Sequence, residues 1–159
     1  MEAMNQVTDQ ATNQAATPDA AQALANVFSH ICDTDTKFET GGLRDFFLYR
    51  DLGIAAATGG QVIAQLVKAN KAPVAGTGWH RHEANFHIVI MLKGWARFMY
   101  EDQPTLVKAG DCVHQRPGIV HFLFDYSPDM EYLEIVSPAD FTTISMPGPA
   151  PVPPPTPWN

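Results

Sequence analysis

The sequence predicts an all-β sandwich or barrel, and three observations carry that reading. Short runs rich in β-branched and aromatic residues recur along residues 37–136. Glycine turns such as Gly59-Gly60, Lys93-Gly94 and Ala109-Gly110 separate them. Only one stretch, near the N-terminus, shows a helical period. Many short strands at regular spacing with a single helix describe a two-sheet β domain.

Taken in order, residues 1–36 are read as a mobile N-terminal segment. Its first part, to about residue 16, is rich in Asn, Gln, Thr and Ala and has no periodicity. Thr17-Pro18-Asp19 then offers an N-cap, a first-turn proline and an acid. Leu24, Val27, Phe28 and Ile31 follow at i, i+3, i+4 and i+7. That spacing predicts a short amphipathic helix lying across the barrel or across a partner chain. His30, beside that stripe, is read as a surface or packing histidine.

Residues 37–145 are expected to form the barrel. Leu43 to Tyr49 is an aromatic-rich strand candidate, and Ile54 to Thr58 is a short apolar piece before the Gly59-Gly60 turn. Gln61 to Val67 carries apolar residues on both alternating faces, which suits a central strand. His87 opens the run Ile88-Val89-Ile90-Met91-Leu92, a buried strand that turns at Lys93-Gly94. Further strands are expected over Trp95–Glu101, Thr105–Lys108, Asp111–Gln115, Val120–Asp125 and Glu131–Val136. Residues 146–159 hold seven of the thirteen prolines and read as an extended arm, with Trp158 free or docked on a neighbouring chain.

Five of the six histidines fall between Trp79 and His121, at 80, 82, 87, 114 and 121. His80 and His82 are two residues apart, so an extended strand points both rings the same way. His121 follows the turn Arg116-Pro117-Gly118 and opens another short strand. Imidazoles from separate strands meeting in one interior suit a transition metal. On the strand from His87, a period of two puts Val89 and Met91 on the histidine side. Tyr100, Arg97, Arg116, Tyr132 and Glu134 could add polar groups, with Arg97 and Arg116 expected at the surface.

These residues resemble the small cupins, whose first motif runs G-x5-H-x-H-x(3,4)-E-x6-G and whose second runs G-x5-P-x-G-x2-H-x3-N. Here His80-x-His82 is followed by four residues, then His87, six residues and Gly94. Gly110 is followed by five residues, Arg116-Pro117-Gly118, two residues and His121. His87 stands where the family has glutamate, Arg116 takes the first proline position, Asp125 takes the asparagine position, and Val74 falls at the first-motif glycine. The resemblance, over roughly residues 40–140, implies a jelly-roll barrel, the double-stranded β-helix of the cupins. It implies one divalent transition metal (Fe, Zn, Ni, Mn or Cu) held by His80, His82 and His121, with His87 as a fourth ligand. His114 matches no ligand position and is expected to pack or line the pocket; Cys112 is expected to be a small buried hydrophobe.

Four neutral imidazoles would leave the full 2+ charge on the ion and supply no carboxylate of their own, so an acid or base must come from another pocket group or a bound water. The resemblance implies a metal-dependent enzyme on a small oxygenated molecule, dioxygenase-like first and isomerase or lyase second. The alternative is a non-catalytic module that binds a metal or small molecule. No Ser-His-Asp arrangement, phosphate loop or nucleotide fingerprint is present.

Composition narrows the partners. Hydrophobic content of 45% with 17% charged residues is globular, and a formal charge of −7 with no basic patch speaks against nucleic acid. Two distant cysteines, Cys32 and Cys112, suggest a reducing compartment. Residues 1–36 contain no Lys or Arg, so a secretory leader with a basic start is not expected, and the apolar runs are too short to span a membrane. The expectation is a cytoplasmic protein that forms a homodimer, because a small open sandwich has edge strands to protect.

Overall fold

The computed structural model describes residues 25–159. Within them the β-type runs become ten strands: β1 Phe47–Asp51, β2 Ile63–Ala69, β3 His80–Glu83, β4 Phe86–Lys93, β5 Trp95–Tyr100, β6 Gln103–Lys108, β7 Cys112–His114, β8 His121–Tyr126, β9 Glu131–Ser137 and β10 Thr142–Ser145. One short helix, α1 Ile54–Ala57, lies between β1 and β2. The strands form two five-stranded sheets, β1-β2-β9-β4-β7 and β10-β3-β8-β5-β6, whose pairings are all antiparallel. Late strands insert between early ones: β9 lies between β2 and β4, and β8 between β3 and β5. That interleaving is the jelly-roll arrangement.

Most strand expectations hold to within a residue or two. The Ile54–Thr58 piece is instead the one-turn helix, and three consecutive alanines there favour helix over strand. The first strand begins at Phe47, later than Leu43, and β10 is an additional strand beyond those expected. Most of the expected N-terminal helix lies outside the described residues, and Asn26 to Ile31 runs without helical structure. There the Val27 N–H donates to Ala57 O at 2.8 Å, which ties the segment to the end of α1. Val27 and Phe28 stay exposed, while Ile31 lies against Gly53.

The turn between β4 and β5 depends on Gly94, at φ 62°. A side chain there would collide with Ser127 Oγ and Asp129 Oδ1, so both backbone and space call for glycine. The core lies between the sheets and includes Phe47, Val67, Val89, Met91, Ala96, Phe98, Val107, Leu123, Tyr126 and Tyr132. Along β4 the buried positions are His87, Val89 and Met91, as the period of two requires. Along β8 they include His121 and Leu123. Each strand therefore enters the interior with an imidazole and continues into hydrocarbon.

The proline-rich arm docks on its own chain. Thr156 donates from its N–H and hydroxyl to the fully buried Asp125 carboxylate, at 3.0 and 2.8 Å. The Trp158 indole N–H donates to Tyr126 O at 3.1 Å, and its ring packs edge-on against Tyr126. The free or neighbour-docked tryptophan is thus corrected: an interior carboxylate and a free carbonyl on β8 capture the arm's end.

Candidate metal centre

His80 and His82 point inward from β3 while Arg81 and Glu83 point outward. β3 pairs with β8 so that His80 lies directly opposite His121. Hydrogen-bonded neighbours in one sheet thus bring the two sequence motifs together. The ring centroids are 4.3 Å apart for His80–His121, 4.9 Å for His80–His82 and 5.0 Å for His82–His121. All three rings are buried, and each offers a nitrogen within 4.8 Å of the other two.

Their outer nitrogens are already engaged. His80 Nδ1 donates to Gly78 O at 2.8 Å and His121 Nδ1 donates to Ile119 O at 3.0 Å. A carbonyl can only accept, so in the neutral ring the proton sits on Nδ1 and the lone pair on Nε2. His82 Nδ1 lies 2.9 Å from Thr143 Oγ1, a partner supplied by β10. Burial is the main influence holding the three rings neutral: it lowers His80, takes His82 down to about 2 and His121 to about 3, with neighbouring imidazoles adding to the effect. Three neutral imidazoles, two of them with tautomer fixed from behind, are a donor set that would suit a divalent transition ion.

His87 enters from β4 in the facing sheet. Its ring centroid is 5.0 Å from that of His82, but it is not one of the three nitrogens that converge. His87 Nε2 lies 2.9 Å from Glu134 Oε1. The approach has ion-pair distance but not the alignment of a directed N–H···O bond, so neither ring nitrogen has a well-formed hydrogen-bond partner. Glu134 reaches this position from β9, where it lies opposite Val89 on one side and Gln65 on the other. Gln65 Nε2 donates to its second oxygen at 2.6 Å. Burial would raise the Glu134 carboxyl, but His87 and the Gln65 amide outweigh it and hold the group below its usual value.

Leu43, Arg44, Tyr49, Gln65, Gln115 and Phe141 join the four histidines and Glu134 around one cavity. Its interior measures about 60 Å³ to the centres of water-sized spheres. One water needs about 10–15 Å³ on that measure, so the space suits a small ligand. Apolar walls come from Phe47, Phe98 and Leu123.

Several residues singled out in the sequence fall elsewhere than the cavity. Cys112 and His114 are exposed, which corrects both expectations: β7 is an edge strand, and Cys112 and His114 pair with Ile90 and Ile88 on the outer face of β4. His30 is exposed, as expected. Arg97 and Arg116 are half-exposed and pair with Asp125 and Glu101. Tyr132 lines the cavity, whereas the half-buried Tyr100 lies beside His121, its ring tilted by 35° at 5.8 Å between centroids. Arg44, Tyr49, Gln65, Gln115 and Phe141 are cavity residues that the sequence motifs do not mark. Gln65 and Glu134, each a polar residue between two apolar neighbours on its strand, were the available signal.

Comparison with known proteins agrees with this architecture. Residues 70–136 match the family described as "Cupin domain". A comparison with curated protein sequences gives no significant match. Among solved structures, KdgF from Halomonas sp. superposes with TM-score 0.58 at 19% identity, covering 70% of this chain and 94% of that one. The polyketide cyclase RemF from Streptomyces resistomycificus gives 0.60 at 17% identity, over 77% of this chain and 90% of that one. Oxalate decarboxylase from Bacillus subtilis, described with Mn(II) centres, gives 0.53 at 16% identity, over 68% of this chain but 30% of that one. At these identities the likeness speaks for fold. Residues 70–136 thus carry a cupin domain, and the interleaved sheets give the chain the fold of these structures.

Proposed function

We propose that this cupin is a metal-dependent enzyme acting on a small oxygenated molecule by proton transfer, in the manner of an isomerase or lyase. The observation that carries the reading is one small cavity shared by three neutral histidines, His80, His82 and His121, and the buried carboxylate of Glu134. We assign those three as ligands of one divalent transition metal, with His87 as the fourth. In that role Glu134 stands behind His87 as the carboxylate that commonly orients a metal-bound imidazole.

A divalent ion bound there supplies Lewis-acid polarisation of a substrate oxygen. The chain does the rest. Gly78, Ile119 and Thr143 orient the rings. Phe98, Leu123 and Phe141 keep bulk water from the substrate. Glu134, ionised at neutral pH, accepts a proton from the substrate, and Gln65 steadies it. The sequence left open which pocket group could carry a proton; Glu134 fills that place. A dioxygenase-like reaction is the second reading, because four protein ligands on a six-coordinate ion leave two positions for substrate and oxygen.

The polarity of the chain argues for no nucleic acid or membrane partner. Among the described residues no helix is long and apolar enough to cross a membrane. The exposed, free Cys32 and Cys112 suit a reducing cytoplasm. A homodimer that covers Val27 and Phe28 completes the proposal.

The test begins with metal analysis of protein purified without added metal or chelator. About one equivalent of metal per chain is expected, and no metal even after reconstitution overturns the reading. Loaded protein is then assayed on small 2-oxo acids, 2-hydroxy acids and diketones for solvent-deuterium exchange and for oxygen uptake. Exchange that is lost in Glu134→Gln at unchanged metal content supports proton transfer. Oxygen uptake without exchange moves the assignment to the dioxygenase.

A further inference from the structure

The cavity contains a cation that none of the assignments above uses. Of the five arginines, Arg50, Arg81, Arg97 and Arg116 each meet a carboxylate within 4.0 Å. Arg44 meets none among the described residues, although it lines the same cavity as the histidines. Its Nε is buried without a hydrogen-bond partner. The one carboxylate lining the cavity, Glu134, is taken up by Gln65 and His87 and makes no ion pair with Arg44. A buried, unmatched guanidinium nitrogen calls for an explanation, because an unmet donor is costly.

Arg44 is also held in place, which distinguishes it from a surface side chain that happens to fold inward. Its backbone N–H donates to Tyr49 Oη at 3.0 Å. The preceding segment is stitched to β1 by Glu39 and Tyr49, which exchange N–H···O bonds at 2.8 and 3.0 Å. Gly42 lies flat on the Tyr49 ring, where any Cβ would collide with the ring carbons. The segment is thus fixed against the cavity with Arg44 facing in.

Charge completes the argument. The permanently charged groups lining the cavity are Arg44 and Glu134, which cancel, while burial keeps His80, His82 and His121 neutral. A divalent ion would leave the interior with a surplus of positive charge that only an anionic guest neutralises. A guanidinium presents a planar fork that matches a carboxylate with two parallel bonds.

We propose that Arg44 is the binding residue for a substrate carboxylate, so that the chain acts on small organic acids. This rests on the metal-enzyme reading above and names its substrate class. Burial lowers the Arg44 guanidinium below its usual value, a cost of holding an unpaired charge that an anion relieves.

The test compares pyruvate with its neutral amide, pyruvamide, by titration calorimetry on metal-loaded and chelator-treated protein. Wild type is expected to prefer the anion at least tenfold in both forms. Arg44→Gln should reduce that preference below threefold without changing metal content, and Arg44→Lys should fall between, since an ammonium keeps the charge but not the fork. An unchanged preference in Arg44→Gln overturns the proposal, as does a wild type that does not discriminate or binds neither probe. Metal bound with no anion preference removes Arg44 alone. Anion preference without any metal removes the enzyme reading and leaves Arg44 as an anion anchor.

Discussion

Burying neutral imidazoles makes the metal-free protein acid-labile in a pH window that the structure defines. His82 and His121 are held down to about 2 and about 3, against about 6.5 in an unfolded chain. As pH falls through about 6.5 the unfolded imidazoles take up protons and the folded ones do not, so acid favours the unfolded state. Between pH 7 and pH 5 each ring then forfeits about 1.9 kcal/mol of folding free energy, or about 4 for the pair. The rings are only 7% and 3% exposed, so solvent screening trims this modestly, to about 3 kcal/mol. His80 is lowered too and shifts stability in the same direction. Against a total of about 5–15 kcal/mol this is a large fraction. Urea unfolding of chelator-treated protein should show a midpoint about 2 M lower at pH 5 than at pH 7, for a slope of about 1.5 kcal/mol/M. His82→Gln, which has no proton to gain, should remove about half of that pH dependence. A midpoint that moves by less than about 0.3 M, or a His82→Gln protein with the wild-type pH dependence, would refute the reasoning.

Other consequences can be checked with single variants. Thr143→Val deletes the partner of His82 Nδ1 while keeping the shape, and should weaken metal affinity about 10–100-fold in a competition titration with a coloured chelator. His82→Ala should lose the metal outright; if His87→Ala instead keeps full content and affinity, the four-histidine assignment fails. A chain ending at Pro155 would strand the buried Asp125 without its Thr156 donors and undock Trp158. It should unfold about 2 kcal/mol more easily, as read by denaturant melts. Equal stability would show that the arm only lies on the surface.

The histidine site was legible in the chain because its information is local. A period of two places His80 and His82 on one face whatever their neighbours, and the same parity links His87 to Val89 and Met91. The spacing of the motifs around Gly94 and Gly118 resembles the small cupins closely enough to imply the barrel before any coordinates. Where local signals were weak or ambiguous the reading slipped. A run of three alanines formed a turn of helix, β10 is short and polar, and Cys112 and His114 lie on the exposed side of an edge strand.

By itself, then, the sequence determined the fold class, the succession of strands along the chain and which imidazoles share a face, since all three follow from periodicity and turn chemistry along one strand at a time. Only the tertiary structure decided what stands opposite them. Glu134 meets His87 because β9 inserts between β2 and β4 in a register that sets Glu134 beside Gln65. Thr143 reaches His82 because β10 closes the edge of β3. Arg44 faces the cavity because its segment is pinned to β1 through Tyr49. Each of these contacts depends on cross-strand register or loop closure between distant parts of the chain, and no pattern within a single segment encodes that.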